Sequence, residues 1–191
     1  MPLFVYGQGV PFTSLFHKKP VFDEIGFTTG FGFGSNPSSL PEGTYRPIYF
    51  MGYFANHLLK SEFRNTAFAI PYFYVEPQFN LVYIQKPNGA IDQSFEFGIN
   101  NGLKQNLRFS DFFQTFILIG TGPHFIAIDT EKQKKGFIFS NCVGAGMQFF
   151  VQKNISLICS FRIKHMSNLE LFQPNSGINS YNFHLGFTYV L

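Results

Sequence analysis

In the closing stretch YNFHLGFTYVL every second residue is apolar. Phe183, Leu185, Phe187, Tyr189 and Leu191 alternate with Asn182, His184, Gly186 and Thr188. A period of two puts alternate side chains on opposite faces of an extended backbone, whereas a helix needs a period near 3.6. The same rhythm recurs upstream. Ile25, Phe27, Phe31 and Phe33 stand against Gly26, Thr28, Gly30 and Gly32. Phe95, Phe97, Ile99 and Leu103 stand against Ser94, Glu96, Gly98, Asn100 and Lys104. Ile155, Leu157, Cys159, Phe161 and Ile163 stand against Ser156, Ser160, Arg162 and Lys164. One face is always greasy and the other small or polar, so the chain is all-β.

Composition decides what the greasy face meets. The 191 residues include 28 Phe, and charged residues make up only 13%, against an ordinary share of about 25%. A soluble lipocalin-like barrel, greasy inside, would carry many Lys and Glu outside. Here the polar faces are mostly Gly, Ser, Thr and Asn. Apolar toward lipid and polar toward the lumen is the pattern of a transmembrane barrel wall. No apolar run of about 18 residues makes a membrane helix. A net charge of +3 without a Lys/Arg stripe argues against nucleic acid as a partner. The two cysteines form neither a disulfide framework nor a metal-ligand cluster. Strand parity sends Cys159 outward and Cys142 inward, which predicts that they stay unbridged. Neither a metal nor a cofactor is implied.

Four further segments, at about 45–58, 65–84, 112–127 and 136–151, raise the total to about eight strands, the smallest usual even number for a membrane barrel. Longer connections are expected near 34–44, 85–92, 128–135 and 168–178, and shorter ones near 59–64, 105–111 and 152–154. Long outer loops alternating with short periplasmic turns fit an antiparallel outer-membrane barrel. Residues 1–20 read as an extension, and 21–191 as one barrel domain. The start, MPLFVYGQGVPFTSLFHKKP, lacks the basic-then-apolar order of a signal peptide.

The segment RIKHMSNLELFQPNSGINS breaks the pattern. The apolar row from Ile155 to Ile163 continues into His165 and Ser167, so parity aims an imidazole and a hydroxyl at lipid. Polar groups facing hydrocarbon are costly and call for an explanation. The plainer reading is a strand end at the membrane rim, where water or headgroups satisfy both groups. If both chain termini are periplasmic, this strand ends in the outer leaflet. His and Ser at i and i+2 then lie close enough for proton transfer after a modest adjustment.

The motifs HMSN and PNSGIN and the final LGFTYVL resemble the lipid A 3-O-deacylases of the bacterial outer membrane, the PagL family. YVEPQFN, GTGPHFI and GFIFSNCVGAGMQFF are similar to the related acyloxyacyl hydrolase group. The likeness is strongest from about residue 116 onward. It implies an eight-stranded barrel with catalytic residues on its outer surface, removing an ester-linked acyl chain from lipid A within lipopolysaccharide. Carried over by motif, Ser167 is the nucleophile, His165 its base, and Asn168 a donor to the oxyanion. The family's third catalytic residue, a glutamate, falls on Asn179 here. An amide can orient an imidazole but cannot stabilise its charge. Glu170 is the nearest carboxylate that could substitute. Asn175 reads as turn chemistry. His124 reads as a lumen or rim residue and Glu76 as inward and hydrogen-bonded. Lys132, Lys134 and Lys135 form either a solvated loop or a contact for lipid A phosphates. The alternatives are a non-catalytic structural or adhesive outer-membrane barrel and a soluble lipid-binding barrel.

Overall fold

Eight antiparallel strands close on themselves in chain order: β1 (Glu24–Gly34), β2 (Thr44–His57), β3 (Tyr72–Gln85), β4 (Ile91–Arg108), β5 (Phe113–Ile126), β6 (Gly136–Phe150), β7 (Ile155–Ser167) and β8 (Ile178–Val190). β8 pairs back onto β1 from Glu24↔Val190 to Gly34↔Ser180, which leaves no open sheet edge. The computed structural model describes residues 21–34, 44–58, 71–86, 88–130 and 133–191. The expected extension 1–20 and the expected start of β3 near 65 lie outside the described residues.

The greasy rows face outward. Phe27, Phe97, Phe161 and Phe187 are 41%, 48%, 38% and 53% exposed, values that no soluble barrel core would show. Their rings meet across strands, as in Phe97–Phe125 at 5.4 Å and Phe161–Phe183 at 5.0 Å. Cys142 is buried, Cys159 lies on the outward row, and both are free thiols.

The interior departs from a simple polar lining. Two apolar clusters fill parts of it, one around Tyr45, Val82, Ile126 and Met166, the other around Tyr53, Tyr74, Phe116 and Ile158. Paired charges occupy other parts. Arg162 grips Glu76 with two bonds of 2.6 and 2.9 Å, Lys164 meets Glu96 at 2.6 Å, and Lys104 lies 3.6 Å from Glu24. A buried charge needs such a partner, because desolvation costs several kcal/mol per ion. An eight-stranded barrel is just narrow enough for side chains to fill it, and this one is filled.

One connection among the described residues differs from expectation in length. The β3–β4 connection, expected to be long, is a tight turn in which Lys86 N–H donates to the Ala90 carbonyl at 2.8 Å and Gly89 takes φ +83°. Only a residue without Cβ enters that left-handed region freely. The short β2–β3 connection expected near 59–64 lies outside the described residues.

Candidate active site

β7 and β8 place the candidate residues by register. His165 stands directly opposite Asn179, and Ser167 opposite Phe139 of β6. His165, Ser167 and Asn179 all point outward, on the face carried by Phe161, Ile163 and Tyr181. His165 Nδ1 lies 2.7 Å from Asn179 Oδ1. With the amide oxygen as acceptor, Nδ1 carries the proton and Nε2 keeps its lone pair. Ser167 follows two residues along the same face. Among the described residues no hydrogen bond joins its hydroxyl to the imidazole.

Gly177, in the turn before β8, closes over the ring. Its φ is +74°, and a Cβ there would lie 2.6 Å from His165 Cε1 and 3.0 Å from the Met166 carbonyl oxygen. Glycine therefore satisfies two demands at once, a left-handed backbone and contact with the imidazole edge. The sequence showed this residue only as part of a Pro-Asn-x-Gly turn.

The loop after β7 is tightly organised. Leu169 and Glu170 both take positive φ, 54° and 65°, directly after the Ser167–Asn168 step. Asn168 is buried; its side-chain amide donates to the Phe172 carbonyl at 2.8 Å, and its main-chain N–H donates to Asn175 Oδ1 at 2.9 Å. Asn175 is thus a turn-forming side chain. Asn168 holds the loop, and among the described residues its amide nitrogen has no second acceptor. Glu170 is exposed and forms no hydrogen bond with His165.

The β5–β6 connection packs against this loop, through the Gln133↔Asn175 bridge and a bond from Lys134 N–H to the Pro174 carbonyl at 3.0 Å. Its charges are matched locally. Lys134 Nζ lies 3.5 Å from Asp129, and the Lys135 main-chain N–H, at 2.8 Å, holds the Asp129 carboxyl below the usual carboxylate range. Lys132 lies outside the described residues.

The two remaining candidates, His124 and Glu76, face inward. His124 is bonded to Glu96 at 2.7 Å and Asn100 at 3.1 Å, and Glu76 is wholly buried against Arg162. Among the described residues, no three His, Cys, Asp or Glu side chains gather as a metal site.

Fold and site together define a class: an eight-stranded outer-membrane barrel that carries a hydrogen-bonded polar group on its lipid face at one rim. Among solved structures, the outer-membrane enzyme PagL superposes with a TM-score of 0.56 at 18% identity, over 88% of this chain and 99% of that one. Neisserial surface protein A gives 0.55 at 8% identity, over 88% and 96%. OprG from Pseudomonas aeruginosa gives 0.53 at 7% identity, over 89% and 96%. These likenesses establish the fold. No curated protein matches the sequence. The family model described as lipid A 3-O-deacylase (PagL) matches residues 43–188, and the chain belongs to that family. It is an outer-membrane protein.

Proposed function

We propose that the protein hydrolyses an ester-linked acyl chain of lipid A, with Ser167 as nucleophile and His165 as general base. The observation that supports this most is the 2.7 Å bond from His165 Nδ1 to Asn179, which leaves Nε2 as the basic nitrogen on the face shared with Ser167. Ser167 Oγ attacks the ester carbonyl carbon while His165 Nε2 takes its proton. Asn168, beside Ser167 in the chain, donates to the developing oxyanion once its amide, buried in this loop, turns toward the substrate. Collapse of the intermediate expels the sugar alkoxide, which receives the proton from Nε2. Water, deprotonated by the same nitrogen, then cleaves the acyl-serine and releases a fatty acid. The third catalytic position supplies orientation without charge, because Asn179 stands where the family has a glutamate.

That substitution also favours the second reading, a barrel that keeps the family scaffold without the chemistry. The two separate in one experiment. Purified protein is mixed with lipid A in detergent micelles, and released fatty acid is followed by mass spectrometry. Release by wild type and none by Ser167→Ala supports the esterase; no release by either supports the inactive scaffold.

A further inference from the structure

The outward row of β4 reads Phe97, Ile99, Asn101, Leu103, with one polar residue between apolar neighbours. Register connects that residue to others. Asn101 pairs with Thr121 on β5, Thr121 with Asn141 on β6, Asn141 with His165 on β7, and His165 with Asn179 on β8. All five face outward. At about 4.8 Å per strand the row runs for roughly 19 Å across the barrel surface. It also descends. Asn179 and His165 lie near a strand end, whereas on β4 to β6 apolar side chains flank the row on both sides. Phe97, Ile99, Phe125 and Phe137 lie toward the loops, and Leu103, Ile119 and Val143 toward the other rim, all of them exposed.

The row is only partly satisfied by the protein. Thr121 donates to Asn141 Oδ1 at 2.8 Å, which turns the Asn141 amide nitrogen away from Thr121. That nitrogen has two N–H groups and no acceptor among the described residues. Donors left open in hydrocarbon are costly, and polar side chains kept at such depth mark a ligand path. An occupant must bring acceptors to a lipid-facing surface. Carbonyl oxygens of acyl linkages do this, because they sit where the polar part of a lipid meets its chains.

We infer that the row Asn101–Thr121–Asn141 binds the ester and amide carbonyls of a multiply acylated glycolipid, holding the linkages next to the one presented to His165. The inference rests on the esterase reading for the identity of that lipid. The continuity of the row with the His165–Asn179 pair argues for substrate over a second copy of the chain.

The test uses full-length Ser167→Ala protein, which keeps the lipid intact, and measures retention of hexa-acylated lipid A by native mass spectrometry. Asn141→Leu with Thr121→Val removes two of the row's three donor side chains and leaves a largely apolar outer face, which a barrel tolerates; folding is checked by heat-modifiable gel migration. Loss of hydrogen bonds made in hydrocarbon predicts that lipid A retention falls about tenfold, with retention of phosphatidylglycerol unchanged. Equal retention of lipid A by the folded variant overturns the inference. So does loss of a cross-linked dimer with lipid A binding intact, which would make the row a contact between copies. Because binding is read on the Ser167→Ala background, the result stands apart from whether wild type cleaves the lipid.

Discussion

Two histidines with one strand between them set the two faces of this barrel apart. His124 on β5 points inward, is 2% exposed, and has a polar partner at each ring nitrogen, Glu96 at 2.7 Å and Asn100 at 3.1 Å. Its carboxylate partner is also held by Lys164 and Asn80, so the ring is one piece of a closed network. His165 on β7 points outward and has one nitrogen engaged, by Asn179. Its other edge lies against Gly177. An imidazole bonded on both sides offers no lone pair to a substrate; one bonded on a single side does. On the proposed esterase reading, the inner histidine belongs to stability and the outer one to chemistry.

Several substitutions can break that division. The largest expected effect is on activity: His165→Ala should lower acyl release by about a thousandfold, the scale of a lost general base. His124→Ala should leave release per folded barrel unchanged. If both variants lose activity equally while folded, the division is wrong. Gly177→Ala should come next. The added methyl must displace the ring or the turn, and a shift near 1 Å costs about a hundredfold. Turnover should fall while lipid A binding holds.

The orienting residue gives a smaller effect. Asn179→Ala should slow acyl release by about tenfold, and Asn179→Glu should match or exceed wild type, since a carboxylate adds charge stabilisation to orientation. A fully active Asn179→Ala barrel would remove this side chain from the mechanism and bring Glu170 forward. Smallest is the inner site read as stability. His124→Ala leaves Glu96 with Lys164, Asn80 and Tyr45, so urea unfolding in vesicles should show a loss of about 1–3 kcal/mol. No loss would mean that the inner network does not depend on this ring.

Legibility in the sequence followed the same division of faces. Alternation alone placed Phe27, Phe97, Phe161 and Phe187 outward, because a period of two assigns faces without knowledge of the partner strand. It placed His165 and Ser167 outward for the same reason. Register is different, since it lies between strands and leaves no mark on either one. The Asn101–Thr121–Asn141 row was therefore invisible as a row, although Asn101 could be seen interrupting Phe97, Ile99 and Leu103. The partners of His124, 28 and 24 residues away, were hidden likewise. The apolar clusters inside were missed because inward rows were read by their polar members, while Tyr45, Ile126 and Ile158 shared those rows. Loop lengths misled at β3–β4, where Gly89 makes a turn tighter than the spacing of apolar residues suggested.

The central claim is that an outward-facing serine performs ester chemistry on a membrane lipid. The most direct measurement compares lipid A extracted from bacteria that make the wild-type barrel with lipid A from those that make Ser167→Ala at equal folded levels, by mass spectrometry. Wild type should remove one ester-linked acyl chain, and Ser167→Ala should leave the full acyl complement. Deacylated lipid A in both, or in neither, would contradict it.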